Sequence, residues 1–160
     1  MRDHLVKIFA ANHALAHTLL DDVAPDRLTA EPHGIKSAAW VLGHLILGAG
    51  MVAQSLGKDL GMPPAWNDLF FGHDPAQASR YPSKAELFEA YDRAHRVIAD
   101  ALASVSDAQL TAPPADEKLR AYFPTLGFMA VYMLAQHEGY HLGQVSAWRR
   151  AAGLPPAKTM

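Results

Sequence analysis

Two histidines four residues apart, His137 and His141, lie in the apolar run from Leu126 to Trp148. On a helix, side chains at positions i and i+4 lie one above the other on the same face. Two neutral imidazoles at this spacing can bind one divalent metal ion. Further ligands from elsewhere in the chain would be needed to complete such a site.

A third histidine, His44, shares an apolar helical stripe with Trp40, Leu47 and Met51. A lone histidine on such a face is usually a core residue whose ring is hydrogen-bonded. Because two histidines are already paired elsewhere, we expect His44 to be the third ligand. Three neutral imidazoles bind a divalent transition metal and leave a position for water or substrate. The alternative is three buried histidines that bond to polar neighbours without a metal.

Other histidines are weaker candidates for the metal site. His13 and His17 form a second i, i+4 pair on the first predicted helix. We interpret them as partly exposed or packing residues, and they remain rivals for the metal role. His73 is predicted to face solvent from a connection. His95 is predicted to lie on the surface, because two arginines flank it closely in the sequence.

The segment from His137 to His141 also matches the HExxH pattern of zinc proteases, in which the glutamate is the general base. Such proteases take a further ligand downstream, whereas no His, Asp or Glu follows His141. No sheet that could line a protease cleft is predicted either. A protease is therefore disfavoured. Glu138 stays a candidate catalytic base, and the alternative is a solvated or salt-bridged glutamate.

The composition limits the class of protein. The chain has 160 residues, no cysteine and a net charge of −2, which predicts a single domain over residues 1–160. Without cysteine there are no disulfides, no thiolate ligands and no cysteine nucleophile. The charge favours neither nucleic acid nor an anionic membrane. The N-terminus lacks a secretory pattern and no apolar stretch is long enough to span a membrane, so we expect a cytoplasmic protein.

Apolar residues at helical spacing predict four helices. Ser37, Ser83 followed by Glu86, and Thr125 are the predicted N-terminal caps. Gly153 marks the end of the last helix. The predicted helices cover residues 3–22, 37–57, 83–105 and 125–152.

The connection over 58–82 is long for a compact domain and rich in Pro and Gly. We expect a short helical turn near 65–70 within it. A connection of this length would let the second and third helices run parallel. With no period-two pattern along the chain, the sequence predicts an all-α four-helix bundle with a long crossover between helices 2 and 3.

Two segments of the chain resemble the DinB-like superfamily of bacterial four-helix-bundle metalloproteins, which includes thiol-dependent transferases. One is the segment from Ser37 to Leu45, around His44. The other runs from His137 to Val145 and continues into a Trp-Arg-Arg and Gly-Leu-Pro-Pro tail. The resemblance implies that His44, His137 and His141 bind Zn²⁺, Ni²⁺ or a similar ion such as Mn²⁺ or Fe²⁺. It also implies a helix 2–helix 3 crossover and a homodimer.

These observations together predict a metal-dependent enzyme that acts on a small molecule. The nucleophile would be water or a low-molecular-weight thiol, which makes the protein a hydrolase or a thiol S-transferase. Because the chain has no cysteine, the thiol must come from a cosubstrate. Trp40, Trp148 and Met51 are candidates for pocket lining, and Gln144 is a candidate for orienting a ligand. The alternative function is a non-catalytic metal-binding or stress-response module.

Overall fold

The computed structural model describes residues 2–157, and this part of the chain contains helices and no β-strand. The prediction of an all-α bundle is therefore confirmed. Three short helices in the connections, and the division of the predicted fourth helix into two, raise the number of α-helices to eight within the described residues. They are α1 Arg2–Leu20, α2 Ala38–Ser55, α3 Ala65–Phe70, α4 Lys84–Ser104, α5 Asp107–Thr111, α6 Glu117–Arg120, α7 Leu126–Val131 and α8 Glu138–Ala151.

Local capping explains where the long helices begin. The Ser37 hydroxyl accepts a hydrogen bond from the backbone N–H of Trp40 at the start of α2. Ser83 and Glu86 form the complete capping box at the start of α4. Thr125 caps α7, and Gly153 adopts a left-handed conformation just after α8. These sequence signals all have the positions expected of them.

The last long helix is not a continuous α-helix. Between α7 and α8, the segment Tyr132–His137 forms a π-helix. A π segment widens the helix locally and changes the rotation of one half relative to the other, and such segments are frequent at functional sites. His137 is its last residue. The apolar period of the sequence does not indicate this interruption.

The long helices pack so that α1 and α2 each contact α4 and α8. Two apolar clusters form the core. The N-terminal halves of α2 and α4 contribute to one cluster, with Trp40 and Trp148. Their C-terminal halves contribute to the other, with Phe9, Ile98 and Met129. A parallel run of α2 and α4 would give this distribution, and the crossover itself stays a prediction.

The connection after α2 contains α3 where a short helical turn was expected. Phe70, its last residue, is fully buried against α2, whereas the next residue, Phe71, is mostly exposed. An added Cβ at Gly43 would lie 2.4 Å from the ring of Phe70. This glycine therefore allows α3 to approach α2 closely.

The expectation that no apolar stretch is long enough to span a membrane was wrong, because Pro32–Ser55 has the length and the mean hydropathy of a membrane span. It contains α2, and about two thirds of its apolar window, 67%, is buried inside the structure. Burial in the bundle accounts for its apolar composition.

Candidate metal centre

The structure brings together the three histidines that the sequence singled out. His44 comes from α2, His137 ends the π segment and His141 lies in the first turns of α8. One nitrogen from each ring lies within 4.8 Å of the others. The Nε2 atoms of His44 and His137 are 3.3 Å apart. The Nε2 atoms of two residues that are 93 positions apart in the sequence thus lie side by side.

Two of the three rings are held by hydrogen bonds on their far side. The Nδ1–H of His44 donates to the backbone carbonyl of Phe70 at 2.9 Å. The Nδ1–H of His141 donates to Oε1 of Gln144 at 2.7 Å. A proton on Nδ1 leaves Nε2 as the free nitrogen, which is how metal-binding histidines are commonly oriented. Gln144, predicted to orient a ligand, thus contacts one of the histidines directly.

The environment favours the neutral form of all three rings. Burial lowers the pKa of His44 and the pKa of His141. Burial, helped by the neighbouring charges of His141 and His44, lowers the pKa of His137 to about 4. Metal binding requires unprotonated imidazoles. The three rings are therefore in the ligand form at neutral pH.

The donor set fits a divalent transition metal. Three imidazole nitrogens, one from α2 and two from the last long helix, match the protein ligands of open zinc sites, which leave one position for water or substrate. No fourth His, Cys, Asp or Glu joins this group among residues 2–157. The site is thus compatible with a divalent metal ion that keeps a coordination position available.

The surroundings of the three histidines add an aromatic wall and a positive charge. The indole of Trp40 stacks on His44, with 4.8 Å between ring centroids. The Lys36 ammonium lies 4.0 Å from the centroid of the same indole, and its charge contributes to the lowered pKa of His44 and His141. Tyr140 is 60% exposed, and its ring lies 5.1 Å from that of His141. Neither Lys36 nor Tyr140 was singled out by sequence, because neither has a distinctive spacing.

Other predicted lining residues lie elsewhere. Trp148 is fully buried in an apolar cluster, and its indole N–H donates to the carbonyl of Ala30 at 2.8 Å. Met51 lines a surface cavity of about 440 Å³ that includes none of the three histidines. A larger cavity of about 700 Å³, between α1, α5 and α7, also contains none of them. The indole of Trp40, by contrast, packs against the rings of His44 and His141.

Glu138 lies in a separate, buried hydrogen-bond network. Its Oε1 accepts from the Tyr91 hydroxyl at 2.6 Å and from the His95 Nε2–H at 2.9 Å. Its Oε2 accepts from the Asn12 amide at 3.2 Å. All three donors come from α1 and α4 rather than from the histidine cluster. The sequence named Glu138 as a candidate base, whereas the structure shows its carboxylate occupied by these donors.

The interpretation of two further histidines as solvent-facing was wrong. His95 is 7% exposed, and its ring stacks on Phe9 with 3.7 Å between centroids. Burial lowers its pKa despite the bond to Glu138. His73 is only 18% exposed and pairs with Glu31 at 2.7 Å. Both errors have one cause. The arginines beside His95 and the position of His73 in a connection are local features, and they do not indicate which distant residues pack over these side chains.

We expect Gly43→Ala to disturb the histidine cluster through Phe70, because the new methyl group would collide with the Phe70 ring. Overpacking costs about 1–3 kcal/mol, against a gain of about 1 kcal/mol in helix propensity. The shift of α3 would also move the carbonyl that orients His44. Denaturant unfolding and metal titration measure the two effects.

Gly50→Ala is the matched control on the same helix, since an added Cβ there meets nothing within 4 Å. It should raise the free energy of unfolding by up to about 1 kcal/mol and leave metal affinity unchanged. Equal stability and equal metal affinity of the two variants would contradict the close approach at Gly43.

Comparison with known proteins agrees with this architecture. No curated protein matches the chain significantly. A family model described as the DinB superfamily matches residues 7–145, which include all three histidines and most of the described helices. Because the match extends over far more than half of the chain, the protein belongs to the DinB superfamily.

Proposed function

We propose that His44, His137 and His141 bind one divalent metal ion and that the protein is a metal-dependent enzyme. The observation that carries the proposal is the convergence of three neutral imidazoles with no fourth protein ligand in the described chain. Zn²⁺ and Ni²⁺ are the proposed ions, and Mn²⁺ and Fe²⁺ are the alternatives for the same site.

The proposed chemistry is activation of a small nucleophile. A divalent ion at this position would lower the pKa of a bound thiol cosubstrate or water, so that either would be deprotonated near neutral pH. The carbonyl of Phe70 and the amide of Gln144 fix two of the ligand rings. The protein would then be a thiol S-transferase or a hydrolase.

The residues around the cluster favour a substrate with a negative charge. The Lys36 ammonium lies over Trp40, beside His44. The exposed Tyr140 hydroxyl accepts from the Gln144 amide at 3.2 Å, so its own proton is free for a ligand. We propose that a carboxylate or similar group of the small molecule is bound between these side chains.

Metal content tests the site. In protein purified without a metal-affinity tag, we expect His44→Ala and His137→Ala each to lose about one equivalent of metal relative to wild type. The matched control is His33→Asn, because His33 is exposed and has a positive φ, which asparagine tolerates. Unchanged metal content in both alanine variants would overturn the proposed site.

Catalysis is tested separately with metal-loaded protein. Consumption of an electrophile that requires both the metal and an added thiol would support the transferase. Turnover with water alone would support the hydrolase. Bound metal without either activity, across a panel of acidic small molecules, would favour the non-catalytic metal-binding or stress-response module.

A further inference from the structure

A second group of metal-ligating side chains lies between α1 and α4. His13 and His17 occupy successive turns of α1, and Asp92 faces them from α4. The Asp92 Oδ1 atom is 2.7 Å from the Nε2 of His13 and 2.9 Å from the Nε2 of His17. One nitrogen or oxygen from each residue lies within 4.8 Å of the others.

We propose that His13, His17 and Asp92 form a second binding site for a divalent transition metal such as Zn²⁺. Two imidazole nitrogens and one carboxylate oxygen are a ligand set that Zn²⁺ and Fe²⁺ bind in proteins. Metal ligation requires both imidazoles in the unprotonated form, in which the two rings and the Asp92 carboxylate would present a net charge of −1 to the cation. No residue is shared with the cluster of His44, His137 and His141, which lies between α2 and the last helix.

Contacts behind the two rings hold them in a binding orientation. The Nδ1 of His17 bonds to the carboxylate of Asp21 at 2.9 Å. In the metal-bound form the proton on Nδ1 would keep the bond to Asp21, and the metal would replace the Nε2 proton that bonds to Asp92, as in the carboxylate–histidine–metal arrangement. The His13 ring packs against those of His95 and Tyr91, with centroids 4.6 and 5.6 Å apart.

The exposure of the group suits metal entry. The side chains of His13, His17 and Asp92 are 33%, 29% and 42% exposed. A cation can therefore reach the site from solvent, and water can complete its coordination. Without a metal, the same residues form a hydrogen-bonded clamp between α1 and α4, in which Asp92 accepts from both rings. Titration with a metal distinguishes a metal site from a clamp that is held by hydrogen bonds alone.

The experiment isolates the second site by removing the first. Zn²⁺ is titrated by calorimetry into the full-length double variant His44→Ala/His137→Ala. We expect about one equivalent to bind, and we expect Asp92→Asn in that background to weaken binding at least about tenfold. His4→Ala is the matched control, since His4 is exposed on the same helix, and it should leave binding unchanged.

Thermal unfolding provides a second readout, because a ligand bound to the native state raises its stability. Saturating Zn²⁺ should raise the Tm of the double variant. If Asp92→Asn folds poorly, His17→Gln serves in its place and should abolish this rise in Tm.

No Zn²⁺ bound by the double variant, or equal affinity with and without Asp92→Asn, would overturn the second site. That result leaves the three-histidine proposal standing if wild type binds one equivalent. Conversely, wild-type binding lost only in the Asp92 variant would overturn the three-histidine site instead.

Discussion

Replacing Glu138 with alanine is expected to lower the free energy of unfolding by about 2–6 kcal/mol, because it leaves two buried donors without an acceptor at a cost of about 1–3 kcal/mol each. Glu138 is 4% exposed and accepts from Tyr91, His95 and Asn12. The variant would leave the Tyr91 hydroxyl and the His95 Nε2–H buried without an acceptor, together with a cavity, whereas the half-buried Asn12 amide keeps its bond to the carbonyl of Leu134. Urea or guanidinium unfolding, followed by circular dichroism, measures the loss.

Glu138→Gln is the graded control for this prediction. Its carbonyl can still accept from Tyr91 and His95, but its amide would face the Asn12 amide, which also donates to the carbonyl of Leu134. One mismatched donor pair predicts a smaller cost of about 1–3 kcal/mol. Both variants should keep the metal, because the carboxylate does not bond to the three histidines. Full stability of Glu138→Ala with loss of turnover alone would instead support a catalytic base.

The second large effect is expected at the other end of the last helix, at Arg149. This residue is 2% exposed. Its guanidinium donates to the carbonyls of Leu19 and Pro155 and forms a two-point ion pair with Asp22. It therefore joins the end of α1, the last turns of α8 and the C-terminal tail. Arg149→Ala should lower the free energy of unfolding by about 2–4 kcal/mol, because packing is lost and a buried carbonyl is left without a donor.

Arg150→Ala is the neighbouring control. Arg150 is exposed, and its side chain bonds only to the Ser146 hydroxyl among the described contacts. Its removal should change the free energy of unfolding by less than about 0.5 kcal/mol. Thermal and denaturant unfolding of the two variants under one set of conditions makes the comparison. A similar small effect at both positions would show that the contacts of Arg149 contribute little to stability.

Arg149 and Arg150 are neighbours in the sequence but differ completely in burial. Both arginines lie in the last turn of a helix, where a positive charge suits the helix dipole. From the sequence alone the two residues are equivalent, because the helix dipole acts along the helix axis and does not distinguish one face from another. Only the packing of α8 against α1 assigns one to a buried position and the other to solvent.

Helices and their ends were predictable because they depend on neighbours within about four residues. Apolar spacing predicted the long helices, and Ser37, Ser83 and Thr125 predicted where three of them begin. The spacing of His137 and His141 likewise indicated a shared face. The homodimer and the thiol cosubstrate, which depend on partners outside the chain, stay predictions.

The tertiary structure decided which distant groups meet. The Phe70 carbonyl orients His44 from 26 residues away, and Asp92 reaches His13 from 79 residues away. Burial of His95 and Glu138 depends on α1, α4 and α8 packing together, which no local pattern encodes. The sequence alone determined an all-α chain with three candidate metal ligands. Helix packing, which is non-local, determined what holds those ligands and brought a second cluster together.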